Sequence, residues 1–157
     1  MNAGKPWKPA KRGREKRRLV AAFTLPFLLA ATHARGGAAC VVAKRLGDSL
    51  AIEWVASPEE SVASALDKAK RRLLDQGYRQ KGQDVHAQAN TELRHAHVVI
   101  VRTRYTTVTG RKRTSYGCGY SPRSTDAAER AAVYDLRNYS WGWKPEFGYE
   151  VVQTLRY

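Results

Sequence analysis

The chain has 157 residues, 43% of them hydrophobic, with 28 Lys/Arg against 14 Asp/Glu and a formal charge of +14. With the first 34 residues set aside, the 123 that remain are enough for one compact domain with a real core. Half of the excess charge sits at one end, so a nucleic-acid reading built on the whole-chain value overstates the basicity of the rest.

Eight Lys/Arg lie between Lys5 and Arg18, opposed only by Glu15. An apolar run of 13 residues follows, Leu19 to Ala31, interrupted by Pro26. Small residues come next, at Ala34 and Ala38-Ala39. Basic segment, short apolar core and small-residue cleavage site are the order of a secretory signal. A helix crossing a bilayer needs roughly 20 apolar residues, so this run reads as a signal over residues 1–39, cleaved after Ala34 or Ala39, rather than an anchor. Gly37-Ala38-Ala39-Cys40 also reads as a degenerate lipoprotein acceptor, without the usual Leu. Removing residues 1–34 leaves 20 Lys/Arg against 13 Asp/Glu, about +7. The two cysteines, Cys40 and Cys118, both lie beyond the cleavage region. In an oxidising compartment they are expected to form one disulfide, stabilising the domain by about 4 kcal/mol through the long loop it closes.

Residues 40–157 read as a single α+β domain made of a strand-strand-helix unit used twice. Cys40–Arg45 is a strand, Gly47-Asp48 a turn, and Leu50–Val55 a second strand. Ser57-Pro58-Glu59-Glu60 has the form of a helix start with a capping box. Val62, Ala65, Leu66, Ala69 and Leu73 then make one apolar stripe, and Gly77 stops the helix. Residues 79–94 are polar and read as a linker or a short edge strand. In the second copy Val98–Val101 is the strongest strand signal, Gly110 marks a hairpin, and Thr114–Tyr120 returns as a strand. Ser121-Pro122 echoes Ser57-Pro58, and a helix capped by Ser124 runs from about Thr125 to Asn138. Ala128, Ala132 and Leu136 take the places of Ala65, Ala69 and Leu73. A last strand, Tyr149–Tyr157, has no counterpart in the first copy. The expected fold is one antiparallel sheet of about five strands with two helices on one face.

In TSYGCGY, Tyr116, Cys118 and Tyr120 alternate onto one face and Ser115, Gly117 and Gly119 onto the other. Two glycines on one strand face mark a close approach. The alanine-rich helix that follows would supply it without a ligand, and the alternative is a backbone cradle for a bound group. The stretch YGCGYSPRS followed by AAERAAVYDL resembles small exported bacterial domains of unknown function, which pair a glycine-rich aromatic strand with an Ala/Glu-rich helix and carry cysteines. The likeness covers roughly residues 114–137, with a fainter echo at 50–74. It implies a fold and a compartment, and no activity.

Residues 139–149 hold five aromatics among Gly and Pro. Such a segment either closes the end of a small core or presents a stacking platform. Tyr116, Tyr120, Arg123, Trp141 and Trp143 are the candidate contact residues. His95 and His97 share a strand face but lack a third ligand, so no metal or other cofactor is expected. No catalytic constellation of Ser/His/Asp, Cys/His or paired carboxylates stands out. Arg111-Lys112-Arg113 is a solvated turn unless it meets an anionic surface. The sequence therefore reads as a small periplasmic or secreted, non-enzymatic domain of inhibitor, immunity or adaptor type. Its expected partner is an envelope or secreted protein, and no transmembrane segment is expected in the mature chain. A cell-wall glycan module or small envelope hydrolase is the first alternative. The second is a cytoplasmic nucleic-acid-binding protein with a basic arm, which Leu19–Ala31 disfavours.

Overall fold

The computed structural model of the protein describes residues 36–157; of the signal reading over residues 1–39, all but the last four residues lie outside the described residues. Six strands and two helices run in the order β1 (Gly37–Arg45), β2 (Asp48–Ser57), α1 (Val62–Asp75), β3 (Asp84–Thr91), β4 (His97–Thr106), β5 (Lys112–Ser121), α2 (Thr125–Tyr139) and β6 (Glu150–Arg156). They form two three-stranded antiparallel sheets, ordered β2-β1-β3 and β5-β4-β6. The single sheet of about five strands expected from the sequence is thus two sheets of three, and the helices do not share one face. Each helix covers the outer face of its own sheet.

The two strand orders are the same connectivity used twice. The repeating unit is strand-strand-helix-strand, and β3 is the counterpart that β6 had lacked. Even an irregularity repeats. Gln88 is the extra residue between the β3 partners of Cys40 and Val41, and Val152 is the extra residue between the β6 partners of Ile100 and Val101. β3 escapes the hydrophobic pattern because it is an edge strand whose side chains, apart from buried Gln88, lie half-buried or exposed.

Three apolar layers hold the fold together. Between the sheets, Cys40, Ile52, Val98, Ile100 and Cys118 are buried with Trp54, Tyr116, Tyr120, Leu155 and Tyr157 packed around them. Under α1, Val41, Ala43, Ala69 and Leu73 close the second layer. Under α2, Val99, Val101, Ala128, Ala132 and Leu136 form the third, with Trp143 against its edge. Successive residues of β1 and β4 therefore serve opposite layers, as the strand period requires. A continuous apolar run such as Val98–Val101 is what a middle strand covered on both faces should carry.

The local signals are kept with one correction. Ser124 caps α2, its Oγ accepting from Ala127 N at 3.2 Å. The cap of α1 is Ser61, accepting from Ser64 N, not Ser57. Ser57 Oγ instead accepts from Glu59 N at 3.2 Å and shapes the turn before the helix. The glycine reading of TSYGCGY holds. A Cβ on Gly117 would stand 2.7 Å from Leu136 N and closer still to Ala132 O, and one on Gly119 would stand 2.8 Å from Ala131 C. α2 therefore lies directly on the backbone of β5.

Candidate functional site

The five candidate contact residues do not converge. Tyr116 and Tyr120 belong to the layer between the sheets. The Tyr120 hydroxyl donates to Ala89 O at 3.3 Å and lies 3.2 Å from Cys40 Sγ, and burial drives its pKa well above the usual phenol range. Arg123 is exposed just past the end of β5, away from the β4–β5 turn. Trp143 rests on the layer beneath α2 and donates its ring N–H to Gly148 O at 3.2 Å. Of the four aromatic candidates only Trp141 stands fully in solvent, at 94% exposure. The aromatic segment thus divides. Trp143 closes the core, while Phe147 stacks on Tyr105 at 5.7 Å between ring centroids. Trp141 and Trp143 therefore do not form a platform of two fully exposed rings.

Cys40 and Cys118 are bonded, their Cα atoms 6.5 Å apart, and they join the middle strand of the first sheet to β5 of the second. Cys40 is wholly buried and Cys118 nearly so.

A second tie between the two halves was not legible in the sequence. The β-bulge at Gln88 aims its side chain out of the first sheet. Its Nε2 donates to Asp135 Oδ2 at 2.9 Å and to Tyr116 O at 3.3 Å, and Cys118 N also donates to Asp135 Oδ2 at 2.9 Å. Burial raises the Asp135 pKa, opposed by those two hydrogen bonds and by the charge of Lys44. Burial likewise lowers the pKa of Lys44, whose ammonium lies 5.5 Å from the Tyr139 ring centroid. These groups fasten β1, β3, β5 and α2 to one another. Among the described residues no group of three or more His, Cys, Asp or Glu is placed to hold a metal. His97 Nδ1 pairs with Thr125 Oγ1 at 3.1 Å.

The feature that does form a surface site lies where the β1–β2 turn, the β4–β5 turn and the segment after α2 meet. Leu46, Tyr105, Val108, Arg111, Arg113 and Trp141 line a groove of about 410 Å³. Leu46 is 79% exposed and Val108 fully exposed, so together with Trp141 three large apolar side chains stand in water at one end of the domain. Scattered exposed apolar residues are ordinary, but a cluster rimmed by charge marks an interaction site. Leu46 also holds a left-handed backbone, φ +50°, which a side chain other than Gly or Asn adopts at a cost. Below the groove Tyr105 OH donates to Trp141 O at 2.8 Å, and Asp48 Oδ1 accepts from Thr114 N at 2.6 Å. Those bonds fix the turns relative to one another. Among the described residues no ion pair engages Arg111, Lys112 or Arg113. The basic hairpin singled out in the sequence and Trp141 therefore belong to one face, joined by Leu46 and Val108, which nothing in the sequence marked.

The chain matches no protein-family model, no curated protein and no solved structure.

Proposed function

We propose that the protein is a small exported, non-enzymatic domain that recognises a partner protein at the cell envelope, as an inhibitor, immunity or adaptor protein does, through the groove between its turns. The observation that carries this reading is the joining of Leu46, Val108 and Trp141 with the unpaired guanidinium groups of Arg111 and Arg113 at one groove. Trp and Arg are the residues most enriched where binding energy concentrates, and an apolar centre with a charged rim is the anatomy of a specific protein interface.

Export is supported by the basic and apolar order of residues 1–31 and by the cysteine pair at disulfide distance. Of the two cleavage positions, Ala34 is the better supported. A cut after Ala39 would remove Gly37, Ala38 and Ala39, which pair with Ser57, Ala56 and Val55. All three are buried, and Gly37 lies directly beneath the first turn of α1.

The test is site-specific photo-crosslinking in the native host. A crosslinker at Trp141 or Val108 is expected to give one discrete protein adduct, and a crosslinker at Lys70 on the solvated face of α1 is expected to give none. Adducts absent at both turns, or equally abundant at Lys70, would refute the reading.

A further inference from the structure

We infer that the groove takes an acidic segment of the partner protein, an extended stretch in which an aliphatic or aromatic side chain lies between carboxylates. The inference rests on the groove being the binding surface and goes on to specify what it binds. Three observations carry it.

The first is charge. Arg111 and Arg113 line the groove and Lys112 lines the adjoining one, and among the described residues none of the three has an acidic partner. Guanidinium groups suit carboxylates because they can donate two parallel hydrogen bonds to one such group. Asp48 shares the adjoining groove with Lys112 and Arg113, but it accepts from Thr114 N and forms no ion pair with either. The rim cations are thus left without an ion pair among the described residues and open to an anionic ligand.

The second is shape. Leu46, Val108 and Trp141 come from three different loops and enclose a concavity of about 410 Å³, within the range of sites that accept one or two side chains. A flat lipid headgroup layer offers nothing to fill it, whereas a side chain projecting from an extended segment does. That favours protein over lipid as the source of the anionic groups.

The third is strain. Leu46 combines a left-handed backbone with 79% exposure. Gly or Asn would relieve the backbone and any polar residue would relieve the exposure. Both costs fall on one residue at the lip of the groove, where its side chain is the part available to a ligand.

The experiment titrates the isotope-labelled protein, disulfide intact, with a short synthetic peptide alternating Glu with Leu and Phe. Amide shifts are followed by NMR, and tryptophan emission is followed in parallel. Shifts confined to the turns around Leu46, Val108 and Trp141 are expected, with a blue shift in emission and a dissociation constant of about 1 mM or tighter. Binding should fall about tenfold in the doubly substituted Arg111→Ser, Arg113→Ser protein and weaken as added salt screens the exposed charges. A matched peptide with Lys in place of Glu should not bind. Equal binding of the Lys peptide, or no shifts at these turns, would overturn the inference. So would phosphatidylglycerol vesicles that shift the same turns while the Glu peptide does not, which would identify a lipid surface instead. A crosslink from Trp141 in cells combined with no peptide binding would sink the acidic segment while leaving partner recognition standing.

Discussion

Replacing Gly119 with Ala adds one methyl group at the most crowded interface of the domain. The new Cβ would sit 2.8 Å from Ala131 C and closer still to Ala128 O and Ala132 N, where ordinary contact begins at 3.4 Å. All three are backbone atoms, so no rotamer change can relieve the clash. Either β5 or α2 must move by well over half an ångström. Moving α2 outward lifts Ala128, Ala132 and Leu136 from Val99 and Val101, all wholly buried. Overpacking costs typically 1–3 kcal/mol, and a clash with rigid helix backbone belongs at the top of that range, so about 3 kcal/mol is expected. Gly117→Ala, 2.7 Å from Leu136 N, should cost a similar amount. Gly110→Ala is the control. That position has φ +75° and nothing within 4 Å, so it carries only the backbone penalty of about 1 kcal/mol. Urea unfolding of the oxidised protein, with unchanged slope, would supply the three values. Because the clash is with backbone, Ala128→Gly or Ala132→Gly should not rescue Gly119→Ala. A loss below about 1 kcal/mol for Gly119→Ala, or rescue by either glycine, would refute the account of how α2 meets β5.

Three further outcomes are expected. Reducing the Cys40–Cys118 bond, which closes a separation of 78 residues, should lower the unfolding free energy by about 4 kcal/mol, read as the shift in urea midpoint with and without reductant. Burial raises the folded-state pKa of Asp135 above 3.8, so the stability linked to its proton is fully present below that value and is lost as pH rises through the raised pKa. Asp135→Asn keeps an oxygen to accept from Gln88 and Cys118 but has no proton to lose. The difference in urea midpoint between variant and parent should therefore move in the variant's favour as pH rises above 3.8, and a difference independent of pH would contradict the burial assigned to Asp135. Leu46→Gly should leave stability unchanged or raise it by up to about 1 kcal/mol, because the left-handed backbone is relieved, while weakening binding of the Glu peptide. Thermal melts and the NMR titration read the two effects separately, and a loss of both would show Leu46 to be structural.

Much of the fold was legible because its signals are local. Ser124, Gly77, the Ala65/Ala69/Leu73 stripe and its repeat at Ala128/Ala132/Leu136 each act within a few residues. Gly117 and Gly119 declared a close approach, and the adjacent alanine-rich helix supplied it. What failed needed information from across the chain. The edge strand that residues 79–94 admitted beside a linker is present as β3, but with little to bury its polar sequence carried no period to choose between the two. With it went the recognition that the repeat is four elements long and that two sheets, not one, result. Ser57 and Ser61 both precede α1, and only the path of the chain decides which of them caps it. The site was the least legible part. Whether Tyr120 or Trp143 faces the core or water depends on the opposing layer, not on neighbours in sequence. Leu46 and Val108 are ordinary residues until three loops bring them together. The basic hairpin and Trp141 were visible separately, and their junction was not.

The claim beneath the rest is that the domain reaches an oxidising compartment and closes Cys40 onto Cys118 there. The most direct test is the intact mass of the protein isolated from its native host, with thiol alkylation before and after reduction. The account predicts a chain beginning at Arg35 that takes up alkylating agent at Cys40 and Cys118 only after reduction. A full-length chain with two freely alkylated thiols would contradict export, the disulfide and the envelope partner together.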